Sequence, residues 1–223
     1  MEIQDLPHTP LFRGLTDGEV QRALTALDAR RQPFHKEELL LQAGHSITHL
    51  GLVLRGQVHI EHLDVWGSKT LLGQAGEGDL FAETYACLPG EALLVNVMAA
   101  SDGEALFLAT ERLLHPGNEP WLQRMAQNLL QIAARKNLGL ARRNLYTAPK
   151  TIRGRVMAYF SALAVQNGGL QFTLPFDRQQ LADFLGVDRS ALSSTLSRMQ
   201  RDGLLTLQRR TVTLHTAPEE FSL

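Results

Sequence analysis

The segment VDRSALSSTLSRM, residues 187–199, places two arginines and four serines around the apolar side chains Leu192, Leu196 and Met199. Leu192, Leu196 and Met199 recur at spacings of four and three, so a helix through them turns these three inward. Arg189, Ser190, Ser193, Ser194 and Ser197 then point outward or to the flanks. Short hydroxyls let a helix backbone approach phosphates and base edges closely, and an arginine can bridge two acceptors of guanine. Further on, LLTLQRRTVTL sets Arg209 and Arg210 between two strand-like runs, where a cation suits a phosphate backbone. This is the chemistry of hydrogen-bonded readout and charge pairing. No nucleophile elbow, phosphate-binding loop or paired carboxylates stand in a recognisable setting, so the chain is not expected to be an enzyme.

Eight histidines raise the question of a metal site. His59 and His62 in VHIEH are three apart, and on a strand that spacing sends the rings to opposite faces; His45 and His49 in HSITH lie in another strand-like segment. They are read as scattered surface residues, with no metal expected. Cys87 is the only cysteine, which excludes an intrachain disulfide framework and a thiolate-held iron–sulfur cluster built within one chain. Among apolar neighbours it is read as inert packing.

The elements that must position Arg189 and the serines can be read from their punctuation. Asp177 is an N-cap, with Gln180 three residues on as a capping box requires and Phe176 and Leu181 as the hydrophobic staple. Arg178 and Gln179 open that helix. Gly186 permits a sharp turn, and Asp188 caps the second helix with Val187 and Leu192 as its staple. Two capped helices, a glycine turn and a following basic hairpin read as a winged helix-turn-helix. The predicted DNA-contacting set is Arg178, Gln179, Asp188, Arg189, Ser190, Ser193, Ser194, Ser197, Arg209 and Arg210. Upstream, IRGRVMAYFSALAVQ predicts an amphipathic helix ended by Asn167-Gly168-Gly169, and YTAPK marks a hinge.

The front of the chain has another texture. Between Arg31 and Leu108, HLGLVLRGQVHIEHL, KTLLGQAG, DLFAE, ALLVNVMAA and EALFLAT form short strand-like segments separated by Gly and Pro clusters, the pattern of a sandwich or jelly-roll barrel. From about residue 118 to 145 a long helix is expected, with Leu122, Met125, Leu129, Ile132 and Leu140 as an apolar stripe interrupted by Lys136. Such a stripe either lies along its own barrel or pairs with a second copy. Symmetric pairing is the commoner way to bury it, so these six residues are predicted to form a dimer interface. Residues 1–147 carry 13 Lys+Arg against 17 Asp+Glu, a net of −4, whereas residues 148–223 carry 9 against 6, a net of +3. That asymmetry fits domains with different partners. The N-terminus lacks a signal-peptide pattern and no apolar run approaches the length of a membrane span, so a cytoplasmic protein without membrane association is expected.

In this order, GEGDLFAE at 76–83 and RQQLADFLGVDRSALSSTLSRM at 178–199 resemble the family of the bacterial cyclic-AMP receptor protein and the fumarate–nitrate reduction regulator, over nearly the whole chain. The resemblance implies an α+β architecture: a sensor β-roll of cyclic-nucleotide-binding type at 1–117, a dimerisation helix and hinge at 118–147, and a winged helix-turn-helix at 148–223. It further implies a homodimeric transcription regulator of a palindromic operator in double-stranded DNA, with RNA polymerase as a further partner. The phrase VDRSALS is similar to branches answering redox or nitrosative signals.

The departures from that family are informative. The effector pocket of nucleotide-binding members maps onto Glu83, Leu93, Leu94, Leu140 and Ala141. Glu83 fits the ribose-contacting acid, but Leu93 and Leu94 stand where an Arg-Ser pair would grip the cyclic phosphate. Leu140 and Ala141 stand where a polar pair would meet adenine. Control by cyclic AMP is therefore not expected. The iron–sulfur branch falls with the cysteine count, and a haem remains open, its axial ligand not assignable. The alternative function is a ligand- or haem-binding signalling module whose winged domain binds protein.

Overall fold

The computed structural model describes residues 3–215 apart from 65 and 68. The chain forms two compact units, Met1–Arg135 and Lys136–Leu223.

The first unit opens with a 3-10 helix, Ile3–His8, and helix α1, Asp17–Ala26. Thr16 and Glu19 form a capping box at the start of α1: the Thr16 N–H donates to the Glu19 carboxylate at 2.8 Å, and the Thr16 hydroxyl accepts from the Glu19 N–H. These bonds hold the Glu19 carboxyl below its ordinary range. Strands β1 (Arg30–Phe34), β2 (Leu39–Leu41), β3 (His49–Arg55), β4 (Val58–Leu63), β5 (Lys69–Ala75) and β6 (Leu80–Phe81) follow. After the short helix α2 (Glu83–Ala86) come β7 (Asn96–Ala99), β8 (Gly103–Ala109) and α3 (Glu111–Leu114). The strands make two antiparallel four-stranded sheets, ordered β1-β8-β3-β6 and β2-β7-β4-β5. This is the expected roll, and Gly56, at φ +83°, makes the expected turn between β3 and β4.

The run HLGLVLR is nearly unbroken in apolar character because β3 is buried on both faces. Leu50, Leu52 and Leu54 point to an outer cluster beneath α1, while Val53 joins Phe34, Phe81 and Phe107 in the roll's interior. Phe81 and Phe107 meet edge to face at 5.7 Å between centroids. Gly51 is required here, since a Cβ on it would lie 2.1 Å from the Phe81 ring.

Helix α4, Pro120–Thr147, has proline at its first position, where the missing N–H costs no helical bond. It corrects the expected dimer interface. Leu122 and Met125 are fully buried and Leu129 is 7% exposed, all within the outer cluster of their own roll, and Ile132 packs at its edge. The apolar stripe read from the sequence is spent inside one protomer. Lys136 and Leu140 lie beyond that contact and are exposed.

The second unit takes the rest of α4, then α5 (Ile152–Asn167), β9 (Gln171–Thr173), α6 (Arg178–Leu185), α7 (Arg189–Arg201), β10 (Leu205–Gln208) and β11 (Thr211–Leu214). The strands form one sheet, β10-β11-β9, over a core that includes Val156, Phe160, Leu181, Leu192 and Leu196. α5 ends on Gly168 in the left-handed conformation, as its Asn-Gly-Gly sequence predicts. Tyr146, Tyr159 and Phe184 stack as an aromatic cluster, where burial and then the neighbouring Tyr146 push the Tyr159 phenol up to about 12. The expected domain ends at 1–2 and 216–223 lie outside the described residues. No helix among the described residues is long and apolar enough to cross a membrane.

The contact between Gly51 and Phe81 gives a direct test of the roll's packing. Gly51→Ala should cost about 1–3 kcal/mol of stability, the usual toll of overpacking. Adding Phe81→Leu should restore part of the loss. Urea unfolding followed by Trp121 fluorescence measures both, and additive losses would show that the two residues do not share the space.

Candidate nucleic-acid interface

The helix pair α6–α7 forms because each helix begins on its own cap. The Asp177 carboxylate accepts from the Gln180 N–H at 2.8 Å, and the Gln180 side chain accepts in return from the Asp177 N–H at 2.9 Å. Asp188 caps α7 by accepting from the Ala191 N–H at 2.9 Å and from the Ser190 hydroxyl. Those two bonds, the hydroxyl's first, hold the Asp188 carboxyl below its ordinary range. Gly186, at φ +62°, turns the chain between the helices. Leu192, Leu196 and Met199 are buried, as the spacing predicted.

The end of α6 is closed by two residues that the sequence reading did not single out. Arg155 of α5 donates to the carbonyls of Leu185 at 3.0 Å and Gly186 at 2.9 Å, and through Nε to Pro149 at 3.0 Å. Arg143 of α4 donates to the carbonyls of Asp183 at 3.2 Å and Phe184 at 3.3 Å. The last turn of a helix leaves its carbonyls without intrahelical donors, and here two guanidinium forks supply them. The sequence signal was an arginine in IRGRV, one turn into α5, but only the tertiary fold shows what it reaches. An ion pair at 3.0 Å between Arg153 and Asp202 also ties α5 to the residue following α7.

The predicted contact residues divide into three groups. Arg178 and Arg189 sit at the first positions of α6 and α7, close enough that burial and then the Arg189 charge lower the Arg178 pKa. Among the described residues neither takes part in an ion pair, nor do Arg209 and Arg210. Arg209 lies at the tip of the wing with φ +55°, a conformation that bulky side chains seldom adopt. Register pairs from Leu205↔Leu214 to Gln208↔Thr211 fix that tip, and the Leu207 N–H donates to the Gln200 side chain at 2.9 Å, tying wing to helix. A strained position carrying a cation at a hairpin tip, where glycine or asparagine would fit without cost, points to use of the charge.

The serines are not equivalent. Ser190 donates to its own cap, and Ser197 donates to the Ser193 carbonyl at 3.0 Å. Ser193 is half-buried. Ser194 is exposed and, among the described residues, its hydroxyl has no partner within the chain. Gln179 is exposed and bonded to Asp183 at 2.9 Å. Asp188 departs from its predicted role as a DNA contact: its carboxylate is committed to capping and its charge would repel phosphate.

The positions expected for an effector are dispersed in character. Glu83 is buried at the start of α2, behind Ala82 in the left-handed conformation. Leu93 is 2% exposed, its backbone bonded to Gly44 and His45, whereas Leu94 is 72% exposed and donates its N–H to the Tyr85 hydroxyl at 3.4 Å. Leu140 and Ala141 are exposed on α4, in the other compact unit, and no common pocket for the five is assigned. The interior cluster of the roll is built from Phe34, Val53, Val58, Ala75, Phe81, Val97, Ala99, Ala105 and Phe107. Burial and the Glu83 charge push the Cys87 thiol up, which keeps it protonated and unreactive. Among the described residues, no three His, Cys, Asp or Glu side chains gather where they could hold a metal ion.

Comparison with known proteins supplies independent findings. Residues 31–115 match the cyclic nucleotide-binding domain, and residues 154–218 match the Crp-like helix-turn-helix domain. The chain is similar to a probable transcriptional regulator, flp, of Lacticaseibacillus casei, at 29% identity over 88% of this chain and 87% of that protein. It is similar also to the cyclic AMP receptor protein of Thermus thermophilus, at 27% identity over 94% of each. The crystal structure of the Thermus thermophilus catabolite activator protein superposes with a TM-score of 0.52 at 26% identity, covering 93% of this chain and 94% of that one.

The arginine clamp on α6 generates its own prediction. Arg155→Ala should leave the Leu185 and Gly186 carbonyls short of donors and cost about 1–3 kcal/mol. Arg155→Lys keeps the charge but not the fork, and should recover less than half. Amide hydrogen exchange of the full chain should quicken across 182–192 and stay unchanged in the roll. Unaltered exchange in that segment would show that the clamp holds nothing.

Proposed function

We propose that the chain is a transcription regulator of the cyclic-AMP receptor protein/fumarate–nitrate reduction regulator type, working as a homodimer that reads a palindromic operator through α7 and the β10–β11 wing; its matches to the cyclic nucleotide-binding and Crp-like helix-turn-helix domains support this reading. The observation that supports this most is that Arg178, Arg189, Arg209 and Arg210 have no ion-pair partner among the described residues. Unpaired guanidinium groups at two helix starts and a strained hairpin tip suit an anionic partner with phosphates and guanine edges. Arg189 and Ser194 would meet base edges, and Arg178, Arg209 and Arg210 would meet phosphates. RNA polymerase is the further partner of a regulator working in this way.

Cyclic AMP is not the effector in this proposal. A cyclic phosphate buried without a paired cation costs several kcal/mol, and the positions for that cation and its hydroxyl carry Leu93 and Leu94.

The dimer face follows from what the roll leaves uncovered on α4. Leu130 is 69% exposed, and Leu130, Ala134, Asn137, Ala141 and Leu145 follow at spacings of four, three, four and four, all exposed and none charged. This second stripe is a coiled-coil seam, with an asparagine of the kind that fixes register.

Two experiments test these assignments. DNA fragments selected by gel shift should lose about 1–3 kcal/mol of binding with Arg189→Ala, relaxing one position per half-site. Arg209→Ala should weaken all sequences alike and flatten the log–log salt slope by about one unit. Cyclic AMP should leave every affinity unchanged. Equal losses on specific and random DNA for Arg189→Ala, or tighter binding with micromolar cyclic AMP, would overturn the corresponding assignment. For the dimer, Leu130→Glu with Ala134→Glu should give monomers by sedimentation with the roll still folded. A double variant that stays dimeric places the interface elsewhere.

A further inference from the structure

On the outer face of the sheet β1-β8-β3-β6, beneath the N-terminal segment, lies a cavity of about 330 Å³. Its walls are the apolar side chains of Leu6, Leu24, Leu54 and Leu106, contributed by the 3-10 helix, α1, β3 and β8. At one side stands Arg31, paired with Glu104 at 3.3 Å. None of these residues belongs to the positions weighed for a cyclic nucleotide or for DNA.

We propose that this cavity binds a small uncharged molecule with an apolar body of eight to ten carbons and one hydroxyl. The volume is roughly twice the ~150 Å³ apolar cavity that holds benzene in an engineered protein, and it falls within the range of natural small-molecule pockets. The Arg31–Glu104 pair selects the polar end. Arg31 lines the cavity with its charge offset by Glu104, so a neutral hydroxyl suits that end better than a second carboxylate. A ligand carboxylate would gain from Arg31 but be repelled by Glu104, and a hydrocarbon would leave the pair without a partner from the ligand.

The 3-10 helix that contributes Leu6 to the cavity runs on into a segment held by α4: Arg124 donates to the Gly14 carbonyl, and Asn128 to those of Leu11 and Arg13, each at 2.9 Å. A ligand against Leu6 can shift an equilibrium there only by its difference in affinity for the two settings.

Titration calorimetry of the full chain with 1-octanol and with octanoate tests the assignment, and it does not depend on DNA binding. Octanol should bind, and octanoate should bind at least tenfold more weakly. Leu24→Trp, which fills the cavity, should abolish octanol binding while the melting temperature and far-ultraviolet circular dichroism stay native-like. If that variant fails to fold, Ala29→Leu at the same wall should weaken binding at least tenfold. Glu104→Gln should narrow the gap between acid and alcohol. No octanol binding to the native chain, equal binding of acid and alcohol, or octanol binding that survives a folded cavity-filling variant would each overturn the proposal.

Discussion

The second unit hangs on four carbonyl groups. Asp183, Phe184, Leu185 and Gly186 close the end of α6; the Asp183 carbonyl also accepts from the Gly186 N–H at 3.2 Å, and Arg143 and Arg155 supply guanidinium donors to all four. Any device that closed this end with water would leave the turn free to open. A clamp drawn from α4 and α5 instead fixes where the chain leaves α6, and Gly186 and the Asp188 cap then determine where α7 starts. The position of Arg189 is therefore set from behind, by charges that never face a partner. That is an economical use of arginine in a basic domain: two are consumed internally, while Arg178, Arg189, Arg209 and Arg210 stand without ion pairs, among the described residues, at helix starts and at the wing tip.

A parallel constraint governs the first unit. Because β3 and β8 are covered on both faces, something must cover the outer side, and the 3-10 helix, α1 and the first turns of α4 share that task. Leu122, Met125 and Leu129 are consumed there. The remaining face of α4, from Leu130 to Leu145, carries leucine, alanine and asparagine with no charge, which is costly to leave in water unless a second copy meets it. One helix thus bears two apolar stripes with different destinations.

These facts explain which parts were legible in the sequence. The caps at Asp177, Gln180 and Asp188 and the turn at Gly186 were readable because each is a local bargain among residues within four positions of one another. The same kind of signal, Thr16 with Glu19, stands ahead of α1 and is equally local. The two stripes of α4 were not separable, since spacing reveals that a face is apolar but not what covers it. The role of Arg155 was invisible for a stronger reason, as its acceptors lie 30 and 31 residues away. Leu93 and Leu94 read as a matched apolar pair, yet one packs inward and the other faces solvent, because neighbours along an extended chain point to opposite sides.

The roll matches the cyclic nucleotide-binding domain over residues 31–115, with apolar side chains at Leu93 and Leu94. Glu83 remains buried at the end of GEGDLFAE, behind the left-handed Ala82, so the loop geometry persists without the cation that would make it a phosphate site. Phe34, Phe81 and Phe107 occupy the interior, and the fit of Phe81 over Gly51 leaves no slack for a small displacement. A roll filled in this way transmits little through its centre. Its outer face is different: there an apolar cavity adjoins a segment hydrogen-bonded to α4. An effector bound at the outer face, as proposed above, would have room beside the polar group of Arg31.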